Sequence, residues 1–526
     1  MLSTLFTYMK VFFKFILSLT LILNGYACIL SAQPTKSSQP AALAERMINN
    51  PDFAKNAKGE DFCWHARYNM DEFVTNYKLT QDTAWLNAGI KYYEFLISQM
   101  DTDPDGYKGW IGPYAYDNRF WQDALVGDAI LITGLLDFSI LVLENSALKK
   151  KYGLAAYKYI DLAEKNFAQK WDKRGTWYDD GPFGAYVGFS KFLIPGKLDH
   201  WIEDSTVNRA GISHPFNKQL DAAQVFLRLF RTTGKKQYRE RAEKIHFTLK
   251  NHFQYFDDHY CWNYFEPLTP GDIDLKNRET LHGVWVHPWR PGYQASEVDK
   301  IVEAYHYGIV FNAEDIQRII NTNLEVMWNK DPENPRFINS NGFGADGDTT
   351  GVSAFKAAYG HSSVTKNAGE LWTGLLDFNQ TIRDLYEVRF KNGQHLQEKI
   401  RYEKTIKLNL PSFKRKFADK AYSIPEFKPG NSRELYLATV LPHRLQKDTN
   451  AIIICKTYEP GYLQIDLYSM DGKKLQGLYT GKIKEGTFIT TWDGRLKDKN
   501  ERMKKGKYYV RWSIGDGYRQ FPVEII

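Results

Sequence analysis

The sequence predicts a multidomain chain, an all-α (α/α) toroid of helical hairpins followed by a small all-β sandwich. Three observations carry that expectation. At 526 residues the chain exceeds the length at which one hydrophobic core usually stops growing. Between residue 61 and about residue 390 an amphipathic helix, a short polar turn and a second helix recur. After about residue 395 the apolar residues change to a period of two.

The first element is an export signal. Lys10 and Lys14 flank the apolar run "FILSLTLILNGYACIL", which ends in small residues at "LSAQ". The run is too short for a convincing membrane span and the expected cleavage follows Ala32. The expected domains are therefore 1–32 (signal peptide), 33–395 (toroid) and 396–526 (sandwich region). The protein is expected to be periplasmic, secreted or on the cell surface, with no transmembrane helix after cleavage. "GYAC" offers a second reading, a lipid anchor on Cys28. Cleavage after Ala32 leaves Cys63, Cys261 and Cys455, which are too widely spaced for a disulfide framework and contain no CxxC pair for a structural zinc.

The hairpins repeat a design. In "FVTNYKLTQDTAWLNAGIKYYEFL" apolar residues recur at three- and four-residue intervals around a polar break at Thr80, Gln81 and Asp82. In "FLRLFRTTGKKQYRERAEKIHFTL", Phe230, Thr233 and Tyr238 take the places of Tyr77, Thr80 and Trp85. One such hairpin cannot bury its apolar face alone, so successive hairpins must stack. The spacers between them are long, aromatic and Gly-rich, and ordered loops of that kind on a rigid scaffold usually carry function. They favour a closed ring with the loops on one rim over an open solenoid.

Hydrophobic residues make up 43% and charged residues 25%, ordinary values for a globular protein. Aromatic residues reach 15%, with 14 Trp and 33 Tyr, and flat aromatic faces suit stacking on sugar rings. The net charge is +7, and the Lys and Arg read as scattered. An exported protein rarely meets DNA, so the expected partner is an anionic polysaccharide or oligosaccharide and not nucleic acid.

Two clusters suit removal of a proton α to a carboxylate. "GISHPFNKQL" places His214 and Asn217 at a helix entrance opened by Pro215 or Phe216. "HGVWVHPWRPGY" supplies His287, Arg290 and Tyr293 with Trp285 and Trp289 as walls. The chemistry needs polar or cationic groups for the dianionic enolate, and a base within hydrogen-bond reach of the proton. Asn217, His214 and Arg290 suit the first task, and Tyr293 or His287 the second. Each also has a structural reading: His214 and Asn217 as helix-entrance residues, Tyr293 and the tryptophans as plugs under a loop, Arg290 as a partner of Asp299 or Glu297. Further substrate contacts are expected from Asn118, Arg119 and Trp121, at a second helix entrance, and from His65 and Arg67 if their helix faces the ring centre. A competing hydrolase would pair Asp123 with Glu203 or Asp204 across a cleft. No cofactor is expected. Asp101, Asp103 and Asp105 of "DTDPDGYKGWIG" mimic the start of a calcium loop, but its twelfth position is Gly112 in place of a bidentate Glu. No HExxH, Walker, GxSxG or dinucleotide fingerprint is present.

Two resemblances add to this. From about residue 455, Tyr468, Gly472 and Lys473, then Trp492, Asp493 and Gly494, then Gly506, Tyr508 and Tyr509 resemble the immunoglobulin-like domain of flagellar hook-capping proteins, which implies a non-catalytic accessory module. The larger arrangement, an exported toroid with Asn and His at one helix entrance, Arg and Tyr on another rim loop and a β-sandwich after it, resembles the polysaccharide lyases that cleave alginate, heparinoids and glucuronan. That resemblance implies β-elimination at a uronic acid, with Asn217 and His214 neutralising the carboxylate and Tyr293, His287 and Arg290 as base, acid and charge-stabiliser. A glycoside hydrolase, a uronate C5-epimerase and a non-catalytic carbohydrate-binding protein are the alternatives.

Overall fold

The computed structural model describes residues 39–50, 58–207, 210–255, 258–281, 285–286, 291–337, 369–391, 435–457, 460–497 and 501–526. The stretch expected to be a signal peptide, with Cys28, and His287, Trp289 and Arg290 lie outside the described residues.

The helical part alternates inner and outer helices. α1 (Gln39–Ile48) packs on α3, and the hairpins that follow are α2 (Gly59–Thr80) with α3 (Ala84–Ser98), α4 (Leu125–Leu143) with α5 (Ser146–Ala163), α6 (Phe216–Thr233) with α7 (Lys236–Asn251), and α8 (Pro291–His306) with α9 (Ala313–Asn321). Helix α10 (Gln380–Lys391) is the last of the described helices. The inner helices α2, α4, α6 and α8 pack on one another in succession, which is the α/α-toroid arrangement. Helix α4 is long and apolar enough to cross a membrane by length and composition, yet 89% of that stretch is buried, as befits a helix packed between α2, α5 and α6. Its glycines allow the close approach: a Cβ on Gly134 would lie 2.8 Å from the Met70 sulfur.

The repeat read from sequence is exact in its turn chemistry. Thr80 and Thr233 each end an inner helix, and each hydroxyl donates back to the fourth preceding carbonyl, Asn76 at 2.7 Å and Leu229 at 2.6 Å. Each also accepts the N–H two residues on, from Asp82 and Lys235. The intervening Gln81 and Gly234 are left-handed, at φ 57° and 72°, so the chain reverses at the same point in both hairpins.

A charged ladder stitches the inner helices together. Arg67 on α2 pairs with Asp71 and reaches Asp137 on α4 at 3.8 Å. Asp137 also accepts from Arg228 of α6 at 2.7 Å, and Arg228 donates to Glu303 of α8 at 2.9 Å. Arg67 is thus an inner-helix residue engaged in this ladder, whereas His65 is exposed on another face of the same helix.

Rim strands fill the inter-hairpin spacers. β1 (Gly112–Tyr114), β2 (Asp117–Gln122), β5 (Phe192–Ile194) and β6 (Lys197–Ile202) form one sheet, and β3 (Trp177–Asp180) with β4 (Phe183–Tyr186) forms a hairpin against α7. Farther along, β7 (Asn263–Phe265) pairs with β8 (Trp285–Val286).

The C-terminal part is a β-sandwich. One sheet runs β9 (Leu435–Leu441), β11 (Ala451–Thr457), β14 (Gly486–Trp492); the other runs β10 (Arg444–Leu445), β16 (Gly517–Ile525), β15 (Gly506–Ile514), β12 (Gly461–Ser469), β13 (Lys474–Ile483). Strands β9 to β11 begin ahead of residue 455, so the sandwich is larger than the stretch that carried the immunoglobulin-like resemblance. It docks on the toroid through Asp180, whose carboxylate accepts from the His443 amide, from His443 Nδ1 at 2.9 Å and from the Arg444 amide at 2.9 Å. The His443 ring stacks on Phe183, with centroids 3.8 Å apart.

Candidate active site

Inner helices α2, α4 and α6 begin on the same rim, and their first turns line one cleft together with β1, the β1–β2 turn and β7. Helix N-termini carry unsatisfied N–H groups and a partial positive charge, so their convergence favours an anion. At the centre lies Lys218 of α6, whose Nζ is 3.0 Å from Glu60 Oε1 of α2 and also hydrogen-bonds Tyr116. Burial alone would lower the Lys218 pKa, but Glu60 and Tyr116 more than offset it, and the ammonium is held above its usual value. Beside it stands His214, half-buried, its pKa lowered to about 3 by burial and by the Lys218 charge, so its imidazole is neutral across the working range.

Asp272 fixes the approach to His214. Its buried carboxylate accepts from the Ser213 amide at 2.7 Å, the Ser213 hydroxyl at 2.7 Å and the Leu268 and Thr269 amides at 2.8 Å each. The chain before α6 is thereby tied to the segment after β7. Gln219 does the same on the other side, exchanging hydrogen bonds with the Tyr186 backbone at 2.8 and 2.7 Å and donating to the His214 carbonyl at 3.1 Å.

The phenols complete the cleft. Tyr116 and Tyr264 line it, and Tyr293, in the first turn of α8, stacks on Tyr264 with centroids 5.2 Å apart and planes 9° from parallel. Burial and the Tyr293 neighbour raise the Tyr264 pKa. The segment with Trp285 reaches the cleft edge by pairing its backbone with Phe265.

The structure brings His214 and Tyr293 into or against this cleft and leaves other candidates elsewhere. Asn217 does not line it: the residue is buried in α6, its carbonyl 3.5 Å from Lys300 Nζ. Asn118 and Arg119 are not at a helix entrance but on strand β2, both exposed, with Arg119 bound to Asp117 at 2.9 Å. Trp121 follows on that strand under Lys58, 5.1 Å from its ring. Asp123 does line the cleft, but its carboxylate is held by Lys170 at 2.6 Å and Arg174 at 2.9 Å. Burial raises that carboxyl, and the two cations outweigh it, leaving the pKa below the usual value. Glu203 and Asp204 are not joined to it: Glu203 is exposed and Asp204 accepts from Thr206. Glu297, a possible partner for Arg290, accepts from Trp262 Nε1 at 2.7 Å, and burial raises its pKa to about 8.

The calcium-like run is occupied by protein. Arg174 donates to Asp103 at 2.7 Å and to Asp105 at 2.8 Å, so a guanidinium stands where that reading put a cation. Among the described residues no group of three or more His, Cys, Asp or Glu is arranged to hold a metal ion.

No protein-family model matches the chain, and no curated protein matches it. Among solved structures, an inactive variant of a GH76 alpha-1,6-mannanase of a Salegentibacter species, in complex with alpha-1,6-mannotetrose, is 12% identical at TM-score 0.34 and covers 72% of this chain and 99% of its own. The same enzyme with alpha-1,6-mannotriose is 13% identical at TM-score 0.30, covering 54% of this chain and 69% of that one. A GH76 alpha-mannanase of Bacteroides thetaiotaomicron is 10% identical at TM-score 0.30, covering 51% and 66%. These overlaps are partial, and the fold assignment rests on the packing of the helices themselves.

Lys218, Glu60, Tyr116 and Tyr264 were not singled out from sequence. Lys218 follows Asn217 directly, so its place one residue along the same helix was the available signal.

The buried histidines give this domain an acid limit. His246 of α7 is fully buried, donates Nδ1–H to the Ala242 carbonyl at 2.8 Å, and has its pKa lowered to about 4 by burial. The unfolded chain binds a proton near pH 6.5 that the folded chain refuses, so stability present above pH 6.5 is lost as pH falls toward 4. The loss is on the order of 3 kcal/mol for His246 alone, and urea unfolding at stepped pH should show it. His246→Gln should flatten that limb; an unchanged slope would assign it to other groups.

Proposed function

We propose that this protein is a polysaccharide lyase that cleaves a uronic-acid-containing polymer by β-elimination. The observation that carries the reading is the acid–base complement of the cleft: a lysine, a neutral histidine and three tyrosines, with both lining carboxylates, Glu60 and Asp123, already paired to cations. Lys218 and the helix N-termini receive the uronate carboxylate and stabilise the enolate formed when the C5 proton leaves. His214 donates to the same carboxylate as a neutral imidazole. Tyr116, hydrogen-bonded by Lys218 and partly exposed at 39%, acts as the phenolate: it takes the C5 proton, the C4=C5 double bond forms as the C4–O4 bond breaks, and the same proton passes from Tyr116 to the leaving O4, which regenerates the phenolate. Tyr293 supports the site through its stack on Tyr264.

Incubation with alginate, glucuronan, heparinoids, chondroitin and pectin tests this, because elimination creates a 4,5-unsaturated uronide that absorbs in the ultraviolet. Tyr116→Phe should lower turnover by about a hundredfold or more with substrate affinity retained, and Tyr293→Phe by much less. The reverse order would make Tyr293 the base. A C5-epimerase would exchange the C5 proton with solvent without forming the chromophore.

One observation favours a second reading, a glycoside hydrolase. Glu60 and Asp123 line the same cleft, and hydrolysis uses two carboxylates. New reducing ends without ultraviolet absorbance would establish it.

A further inference from the structure

The charge of the chain is divided unevenly, in contrast to the scatter read from the sequence. Residues 1–395 hold 43 Lys and Arg against 47 Asp and Glu, whereas residues 396–526 hold 26 against 15. Within residues 435–526, which include the sandwich strands, the balance is 16 against 10. The part with the cleft is thus net acidic, and the long-range attraction for a polyanion resides in the other part.

The five-stranded sheet gives that charge a surface. Leu463, Ile465, Leu467, Val510, Trp512 and Ile514 alternate into the core, so the residues between them form the outer face. There the Arg511 guanidinium lies between two tyrosine rings, 4.2 Å from the Tyr468 centroid and 4.4 Å from that of Tyr518. Gln520 Oε1 accepts from its Nε at 3.2 Å and its Nη2 at 3.0 Å, and its Nη1 end has no hydrogen-bond partner among the described residues. Lys482 and Lys507 are exposed on the same face, as is Tyr462 at 58%. The acids of that face are already neutralised, Asp466 by Lys474 at 2.8 Å and Glu524 by Arg444 at 3.1 Å. What remains available is a guanidinium clamped flat by aromatic rings at mid-sheet, with Lys482 and Tyr462 toward one end of the strands and Lys507 toward the other, a span of about 27 Å.

We infer that the outer face of this sheet is a binding surface for acidic polysaccharide, which retains the polymer on the protein that cleaves it. A clamped guanidinium presents a fixed edge to a carboxylate or sulfate, and tyrosine rings accept the apolar face of a pyranose. The surface deepens the proposed function and rests on its acidic-polysaccharide substrate.

The test uses the full-length protein and the K482E/K507E/R511Q variant, which changes no cleft residue. Electrophoretic retardation in gels containing alginate, heparin or neutral mannan reads binding directly, at low and at raised salt. The wild type should be retarded by the acidic polymers and not by mannan, with the effect weakening as salt rises. The variant should bind roughly tenfold more weakly or worse, melt at the wild-type temperature, cleave short oligosaccharides normally and cleave polymer more slowly. Should it melt early, R511Q alone carries the comparison. Unchanged retardation of the variant, equal retardation by mannan, or tighter binding of duplex DNA than of any acidic polysaccharide overturns the inference. Retardation that is lost in the variant while no uronate is cleaved overturns the lyase reading and leaves the binding surface standing.

Discussion

Lys218→Met abolishes measurable elimination, a loss of about a thousandfold or more, because the charge that would meet the uronate carboxylate disappears from a cleft whose described lining residues include no other lysine or arginine. The variant also leaves Glu60 without its partner, so the decisive comparison is the double variant E60Q/K218M, in which neither charge remains. That protein should fold normally and stay inactive. Activity in it would mean that Lys218 serves only as a countercharge to Glu60, which sinks the proposed role. Glu60→Gln alone frees Lys218 for the substrate, so KM for the acidic polymer should fall while turnover persists. A hydrolase using Glu60 would lose its activity with the same substitution, so this variant separates the two readings.

Lys170→Met should cost about 3–5 kcal/mol of stability, the range for removing one partner of a buried ion pair, and lower the melting temperature by on the order of 10 °C. Lys170 has no exposed side-chain surface and sits between Asp123, at 2.6 Å, and Asp128, at 2.5 Å, while donating to the Lys108 carbonyl at 2.9 Å. Burial and the Asp123 charge push the Asp128 carboxyl well up, while Lys170 and Arg174 keep Asp123 low despite its burial. Without Lys170 the Asp123 carboxylate would keep Arg174 alone, and its pKa would rise. The variant should therefore lose less stability, relative to wild type, at acid pH than at neutral pH. Calorimetry across that range checks it, and a penalty that does not change with pH would show that lost packing, not charge, dominates.

The helices and their turns were legible because the signals are local. The match of Thr80 with Thr233, a helix end followed by a left-handed residue, needs only a few neighbouring positions to be read, and the structure repeats it down to the threonine hydrogen bonds. The entrance "HPFN" was read in the same way: Pro215 does precede α6, and His214 does reach the cleft. Asn118 and Arg119 show where such reading failed. A polar, turn-like stretch before an apolar helix looked like a helix entrance, but residues 117–122 have β-sheet partners, and pairing with β1 and β5 decided the matter.

The sequence by itself determined the hairpin repeat, the change to strands near the C-terminus, the aromatic rim loops and the amount of charge, since periodicity and composition reside in the chain. Only the tertiary structure decided which charges are available for chemistry. Asp123 reads as a candidate acid until Lys170, 47 residues on, and Arg174, 51 residues on, neutralise it. Glu60 and Lys218 acquire a shared role across 158 residues. The energy of a buried ionisable group is set by its surroundings and its partner, and partners brought together by folding have no spacing in sequence to announce them.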